Sequence, residues 1–224
     1  MEMNMARPVQ ADAEATKRRV LDSAASLFSA KGEGNTSMRD IASGAGVSLG
    51  TVHHYFGSKA GLYQACIDAM YAELLTLKAE LEPAFRRAES TEQVVETCVR
   101  QGFRFARQHQ SALRLVLRSV LDSGELEPER LKNSVLPLIS EAAQLLQQQF
   151  EFPEFEARLT IQSIVNVIVR YALSTPRELS AVAGFPPAIQ PLGENILPIA
   201  VDERGVHAVE THLVGIAKAF LGLS

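Results

Sequence analysis

Residues 36–62, with the sequence TSMRDIASGAGVSLGTVHHYFGSKAGL, contain two short stretches in which apolar residues recur at helical spacing. A hydroxyl residue, Thr36 or Ser37, precedes the first stretch and can cap a helix there. Residues 44–46, Gly-Ala-Gly, then break the helix, because glycine permits a sharp change of backbone direction. Ser48 can cap the second stretch in the same way. The pattern predicts two short helices joined by a tight turn.

A longer helix is predicted before this pair, over about residues 16–31. Its apolar residues recur three or four positions apart and form one stripe: Val20, Leu21, Ala24, Leu27 and Phe28. A supporting helix followed by two short helices and a tight turn is typical of a helix-turn-helix unit. In such a unit the third helix enters the major groove of DNA, and its N-terminal residues meet the base edges.

The individual residues of this region resemble the TetR (tetracycline-repressor-like) family of transcription factors. The resemblance covers about residues 16–63 and rests mainly on the run Ile41-Ala42-x-x-Ala45-Gly46-Val47-Ser48-x-Gly50-Thr51-x-x-x-Tyr55-Phe56-x-Ser58-Lys59-x-x-Leu62. So many matches at fixed spacing make the resemblance specific. The sequence departs from the family at residues 52–54, where relatives often have a tyrosine or another aromatic residue and this chain has His53 and His54.

The resemblance implies an all-α fold, with an N-terminal three-helix helix-turn-helix DNA-binding domain and a C-terminal helical ligand-binding and dimerisation domain. We expect a flexible tail over residues 1–15, the DNA-binding domain over residues 16–60, and the ligand-sensing and dimerisation domain over residues 61–224. The implied function is that of a ligand-responsive repressor, released from a palindromic DNA operator by a small-molecule inducer. An activator of the same family and a helical protein-interaction module without specific DNA binding remain alternatives.

The candidate DNA contacts lie in and around the predicted third helix. Small hydroxyl residues and glycine fit close to a groove, whereas tyrosine and lysine suit phosphate contacts that position the protein. A histidine can bond a base or a phosphate. Helix capping alone is an alternative role for the hydroxyl residues. The predicted DNA-binding residues are Thr36, Ser37, Arg39, Ser48, Leu49, Gly50, Thr51, His53, His54, Tyr55 and Lys59.

The rest of the chain is predicted to be helical, apart from a proline-rich connection over residues 184–201. Helices are predicted at about residues 58–81, 91–107, 111–122, 128–150, 153–174 and 204–221. The resemblance implies that the last two of these helices form a homodimer interface. It also implies a small-molecule effector, whose candidate contacts are Phe103, His109, Arg114, Leu117, Arg118, Asn166 and Arg170.

The composition fits a globular protein, with 46% hydrophobic and 21% charged residues in 224. The formal net charge is −4, but residues 16–60 carry six basic and three acidic residues, so the predicted DNA-binding domain is locally basic. Cys66 and Cys98 are expected to be reduced thiols in a helical core, with a redox-sensing pair as the alternative.

Other classes of protein receive less support from the sequence. Gly-rich phosphate loops, metal-ligand spacings and nucleophile elbows are missing, so we expect no enzyme activity, no cofactor and no metal. The sequence contains no apolar run of about 18 residues and starts without an apolar signal-peptide core. We therefore expect a cytoplasmic protein with no membrane partner.

Overall fold

A computed structural model of the chain describes residues 9–87, 90–186 and 203–223. Within these ranges all regular structure is helical, which confirms the predicted fold class. The helices in chain order are α1 (Val9–Lys31), α2 (Met38–Ala45), α3 (Leu49–Phe56), α4 (Lys59–Arg87), α5 (Thr91–Gln108), α6 (Gln110–Ser123), α7 (Pro128–Arg130), α8 (Leu136–Gln149), α9 (Glu154–Ala172), α10 (Pro176–Val182) and α11 (Arg204–Phe220). A π-helical turn, Leu131–Val135, joins α7 to α8.

The chain divides into two compact units. The first contains the described residues up to Thr76 together with Ser111–Leu126, and the second contains Leu77–Gln110 and the described residues from Glu127 onward. The first unit therefore extends beyond residue 60, where the DNA-binding domain was predicted to end, and it takes in most of α6. No helix in the described ranges is both long and apolar enough to cross a membrane.

Some helix ends differ from the prediction. α1 begins at Val9, so residues 9–15 are helical and not a tail, because they are rich in alanine and other strong helix formers. α4 continues past Pro83 to Arg87. The short α10 was not predicted. Residues 187–201 of the predicted proline-rich connection, and residues 1–8 of the predicted tail, lie outside the described ranges.

An aromatic pair at the centre of the first unit connects three of its helices. The rings of Phe28 in α1 and Tyr63 in α4 lie 5.3 Å apart, and the Tyr63 hydroxyl donates to the backbone oxygen of Leu115 in α6 at 3.0 Å. Burial, the largest influence, raises the pKa of Tyr63, so this hydroxyl remains a donor at neutral pH. The fully buried residues around the pair are Val20, Ala24, Ile41, Val52, Leu62 and Leu115.

The two cysteines belong to different units. Cys66 is buried in the first unit, where its thiol donates to the backbone oxygen of Leu21 at 3.6 Å. Burial raises the pKa of Cys66 to about 12. The thiol is therefore protonated at neutral pH, which favours the structural role over the redox role for Cys66.

In the second unit, α11 packs against α5, α9 and α10. A buried carboxylate, Glu210 in α11, joins it to α5, because Arg104 Nε lies 2.8 Å and Arg100 Nη1 lies 3.5 Å from its two oxygens. Arg107 Nη1 donates to the backbone oxygen of Ser174 at 2.7 Å. Paired guanidinium groups offset the cost of burying a charge, so these arginines hold the helices of the unit together.

Two backbones approach each other closely where α10 meets α11. Gly205 lies at this crossing, and a Cβ built on it would come within 2.2 Å of the backbone nitrogen of Ser180 and 2.5 Å of the carbonyl carbon of Leu179. Real Cβ atoms are not found at such distances from backbone. The Gly205 amide donates to the Ser180 hydroxyl at 3.3 Å, so the contact is specific as well as close.

We predict that Gly205→Ala lowers the free energy of unfolding by about 1–3 kcal/mol, because backbone atoms cannot move aside for the added methyl group. The measurement is urea unfolding followed by far-ultraviolet circular dichroism. Gly102→Ala in α5 is the matched control, because its Cβ would meet only Ile168 at 3.9 Å, and the better helix former should stabilise the protein slightly. Equal stability of the two variants would show that the α10–α11 crossing is looser than described.

Candidate nucleic-acid interface

The turn between α2 and α3 is closed by backbone hydrogen bonds. Gly46 has φ +66°, a left-handed conformation that favours glycine, and its amide donates to Ser43 O at 3.1 Å. The next amide, that of Val47, donates to Ala42 O at 3.0 Å. The sequence predicted that Gly44 also lies in the turn, but Gly44 belongs to α2. A Cβ at Gly44 would meet Ser23 Oγ of α1 at 2.5 Å. The two glycines thus have separate tasks: Gly46 turns the chain, and Gly44 lets α2 approach α1.

Helix α3 begins with a side-chain cap, as the sequence predicts. The Ser48 hydroxyl accepts from the Thr51 amide at 3.0 Å and lies 2.8 Å from the Thr51 hydroxyl. At the other end of the helix, His53 Nδ1 lies 2.8 Å from the backbone oxygen of Gly57. The Ser48 side chain thus caps the start of this eight-residue helix, and the His53 side chain contacts the backbone just past its end.

The two sides of α3 differ in burial. Val52 is fully buried among the residues of the first-unit core, and Phe56 packs against that core. The predicted DNA-binding residues of α3 lie toward solvent: Gly50, His53 and His54 are exposed, whereas Leu49, Thr51 and Tyr55 are half-buried. A short helix with one buried face and one accessible polar face has the form required of a helix that enters a groove.

Residues at the start of α2 divide into a buried and an exposed set. Thr36 is 3% exposed, and its hydroxyl donates inward to Gly32 O at 2.8 Å and Leu27 O at 3.3 Å, so its side chain is a structural cap for the end of α1. Ser37 is exposed and caps α2 by accepting from the Asp40 amide at 3.1 Å. Arg39 is exposed, so its guanidinium can reach a phosphate.

The position of Lys59 could not be predicted from the sequence motif alone. Its ammonium donates to the backbone oxygens of Glu33 at 2.8 Å and Thr36 at 3.3 Å. Lys59 therefore joins the start of α4 to the loop between α1 and α2, and two of its three N–H groups are occupied. Its predicted phosphate contact stays a prediction, but the ammonium also has a structural role.

The predicted effector contacts are divided between the two units. The first unit contains three of them, all in α6: Arg114, Leu117 and Arg118. The other four residues belong to the second unit.

The four candidate residues of the second unit have different surroundings. Phe103 is buried in the core, and the His109 ring lies 4.2 Å from the ring of Phe105. Asn166 accepts from Gln162 at 2.8 Å, and Arg170 donates to the Ser174 hydroxyl at 3.0 Å, and both are exposed on α9. The assignment of these residues to a ligand stays a prediction.

The structural role of Lys59 generates a test. Lys59→Met should lower the free energy of unfolding by about 1–3 kcal/mol, because the carbonyl groups of Glu33 and Thr36 lose a charged donor. Lys31→Met, which removes an exposed ammonium from the end of α1, should leave the stability within about 0.5 kcal/mol of the wild type. Thermal unfolding of the two variants side by side provides the measurement, and equal melting temperatures would show that Lys59 is not structural.

A known family of proteins matches the sequence of part of the first unit. The sequence model described as "Bacterial regulatory proteins, tetR family" matches residues 20–66, which include α2, α3 and the start of α4.

Two curated relatives are HTH-type transcriptional regulators. The chain is 32% identical to AcrR of Shigella flexneri over 81 residues, or 36% of this chain and 38% of AcrR. It is 30% identical to YttP of Bacillus subtilis, described as a probable regulator, over 105 residues, or 47% of this chain and 50% of YttP. The matches thus span half or less of these two relatives.

Solved structures extend the likeness to almost the whole chain. A TetR-like transcriptional regulator from Rhodococcus sp. RHA1 aligns with 98% of this chain and 99% of its own, with a TM-score of 0.62 and 21% identity. A transcriptional regulator from Aquifex aeolicus VF5 aligns with 91% of this chain and 98% of its own, with a TM-score of 0.59 and 18% identity. At these identities the likeness shows the fold. Residues 20–66 therefore carry the sequence pattern of the tetR family of bacterial regulatory proteins, and almost the whole chain shares its fold with these solved structures.

Proposed function

We propose that the protein is a ligand-responsive transcriptional regulator that binds a palindromic DNA operator as a homodimer and leaves it when a small molecule binds. The observation that carries this proposal is the geometry of α3. Ser48 and His53 fasten its ends, Val52 anchors it in the core, and its polar face is accessible. These are the properties of a helix that reads DNA in the major groove.

The proposed DNA contacts are of two kinds. We expect residues on the accessible face of α3, above all Thr51 and His54, to meet base edges, and the exposed Arg39 at the start of α2 to meet the phosphate backbone. Thr36 is left out of the proposed interface, because its hydroxyl is buried and already bonded to two carbonyl groups.

Homodimerisation is supported by apolar residues that a single chain leaves exposed. On α9, Phe155, Leu159 and Val165 are 66%, 62% and 43% exposed, and Phe220 on α11 is 49% exposed. These apolar side chains lie on the two helices that the resemblance assigns to the homodimer interface, and the single chain leaves them uncovered. Large exposed apolar patches mark interaction surfaces, so we assign α9 and α11 to the interface between two copies.

The proposed release of the dimer from DNA by a ligand depends on the distance between its two recognition helices. Two recognition helices of a dimer must lie about 34–36 Å apart to enter successive major grooves. A small molecule that binds more tightly to a dimer with another spacing lowers the DNA affinity by the ratio of its two binding constants.

We predict that the purified protein enriches one palindromic sequence from fragmented genomic DNA and that the double variant Thr51→Ala/His54→Ala enriches none. These substitutions remove polar groups from the accessible face of α3 while Val52 and the Ser48 cap remain, so the thermal midpoint should change little. Lys59 is unsuitable for this test because its loss would also remove two hydrogen bonds that join α4 to the loop before α2.

If the wild-type protein enriches no sequence at moderate salt, specific DNA binding is excluded under those conditions, and the alternative of a helical protein-interaction module replaces the proposal. If the wild type and the folded double variant enrich the same sequence equally, α3 is not the reading helix.

The dimer has its own test. We predict that the wild type sediments as a dimer at micromolar concentration and that Leu159→Glu sediments as a monomer, because the introduced carboxylate would have to be buried without a partner. Leu121→Glu is the matched control, since Leu121 on α6 is 84% exposed but lies outside α9 and α11. If both variants remain dimers, the contact between the two copies does not include Leu159.

A further inference from the structure

One basic side chain outside the predicted DNA contacts reaches the recognition helix. Lys17 lies in α1, and its ammonium is 5.5 Å from the centre of the Tyr55 ring in α3. The Tyr55 ring in turn lies 5.2 Å from the ring of His54. Lys17, Tyr55 and His54 therefore form one continuous edge of the first unit, to which we refer as the α1–α3 edge.

The three basic residues of this part of α1 point in different directions, because successive residues of a helix are about 100° apart. Arg18 lies 3.8 Å from Glu73 of α4, and Arg19 donates to the Thr16 hydroxyl of its own helix at 3.3 Å. The structure gives Lys17 the position beside α3. A cation next to the face of an aromatic ring is attracted by the ring quadrupole, so the contact holds the ammonium at this edge.

In the free protein the charge of Lys17 is partly neutralised by an acidic neighbour. Glu14 Oε1, one turn earlier in α1, lies 2.8 Å from Lys17 Nζ. The hydrogen bond and charge of Glu14 raise the pKa of Lys17, so the ammonium is fully protonated at neutral pH. The side chains of Lys17 and Glu14 are 39% and 65% exposed. An ion pair this exposed is weak and exchanges readily.

We propose that Lys17 is a DNA-phosphate contact of the α1–α3 edge, and that Glu14 holds its ammonium in the free protein and competes with the phosphate for it. This inference rests on the proposed DNA binding. It extends the interface from α2 and α3 to α1 and makes Glu14 a determinant of affinity. A phosphate contact positions the protein without reading bases, so Lys17 contributes equally on every DNA sequence.

The test is a salt titration of DNA affinity, measured by fluorescence anisotropy on two duplexes of equal length. One duplex contains the sequence that the wild-type protein enriches, and the other has mixed sequence. The slope of log affinity against log salt is negative, and the loss of one phosphate contact reduces its magnitude by about 0.9. We expect Lys17→Gln to show this change on both duplexes, with binding weaker by about three- to tenfold near physiological salt.

Matched variants separate a phosphate contact from a change in net charge. Lys17→Arg keeps the charge and should keep the wild-type slope. Lys132→Gln removes an exposed lysine from the second unit and should leave the slope unchanged. Lys17 is half-buried, but its ammonium is paired with the exposed Glu14 carboxylate, and so weak a pair adds little to stability. Lys17→Gln should therefore keep a melting temperature close to that of the wild type, and measuring it separates a weaker affinity from unfolding.

The role of Glu14 is tested by a double-mutant cycle. We expect Glu14→Gln to tighten binding by about two- to fivefold, the range of an exposed ion pair, and to have less effect when Lys17 is already Gln. Glu151→Gln, another exposed carboxylate, should have no effect. Equal tightening with and without Lys17 would show that Glu14 acts independently of it.

The outcomes distinguish this inference from the proposed function. If the wild type enriches a sequence but Lys17→Gln and Lys132→Gln give the same slope, the Lys17 contact is wrong and the proposed function stands. If the wild type enriches no sequence, the proposed function fails, and the mixed-sequence duplex at low salt still decides whether Lys17 contacts phosphate. If no duplex is bound at low salt, both fail.

Discussion

The burial of Val52 is the constraint on which the proposed DNA-binding face depends. A helix of eight residues is not stable alone in water, because too few hydrogen bonds compensate the cost of starting it. α3 exists because Val52 is fully buried against the core formed by α1, α2 and α4, while Ser48 and His53 satisfy its ends. Since one side of the helix is fixed by this burial, the opposite side is fixed too. The direction in which Thr51 and His54 leave the helix is therefore determined by apolar packing on its other side.

The same dependence explains how far the sequence could predict the site. The caps at Ser37 and Ser48 and the turn at Gly46 were predictable because each is determined by residues within a few positions. The two bonds from Lys59 were not, because the acceptor carbonyl groups lie 23 and 26 residues earlier in the chain. In the family motif a lysine at this position indicates a phosphate contact, and only the folded loop between α1 and α2 reveals its second role.

Two further features were missed for different reasons. α10 has a complete local signal, since Thr175 accepts from the Glu178 amide, Glu178 returns a bond to the Thr175 amide, and Pro176 occupies the first turn. Seven residues make only two turns of helix, which is too short for an apolar periodicity to predict α10.

The membership of α6 in the first unit has no local signal. It depends on the bond from Tyr63 to Leu115, 52 residues apart in the chain, and on a ring–ring contact with Phe28.

The position of α6 bears on how a ligand could act. The Arg118 guanidinium lies against Gly32, where φ is +81° and a Cβ would come within 2.5 Å of Arg118 Nη1. Gly32 also accepts the hydroxyl of Thr36 through its carbonyl oxygen, and the Thr36 carbonyl accepts from Lys59. The loop that precedes the helix-turn-helix is thus hydrogen-bonded to α4 through Lys59 and lies against Arg118 of α6 inside one compact unit. If the proposed effector displaced Arg118, it would act directly on this loop, and its coupling to the proposed DNA-binding face would need no long path through the rest of the chain.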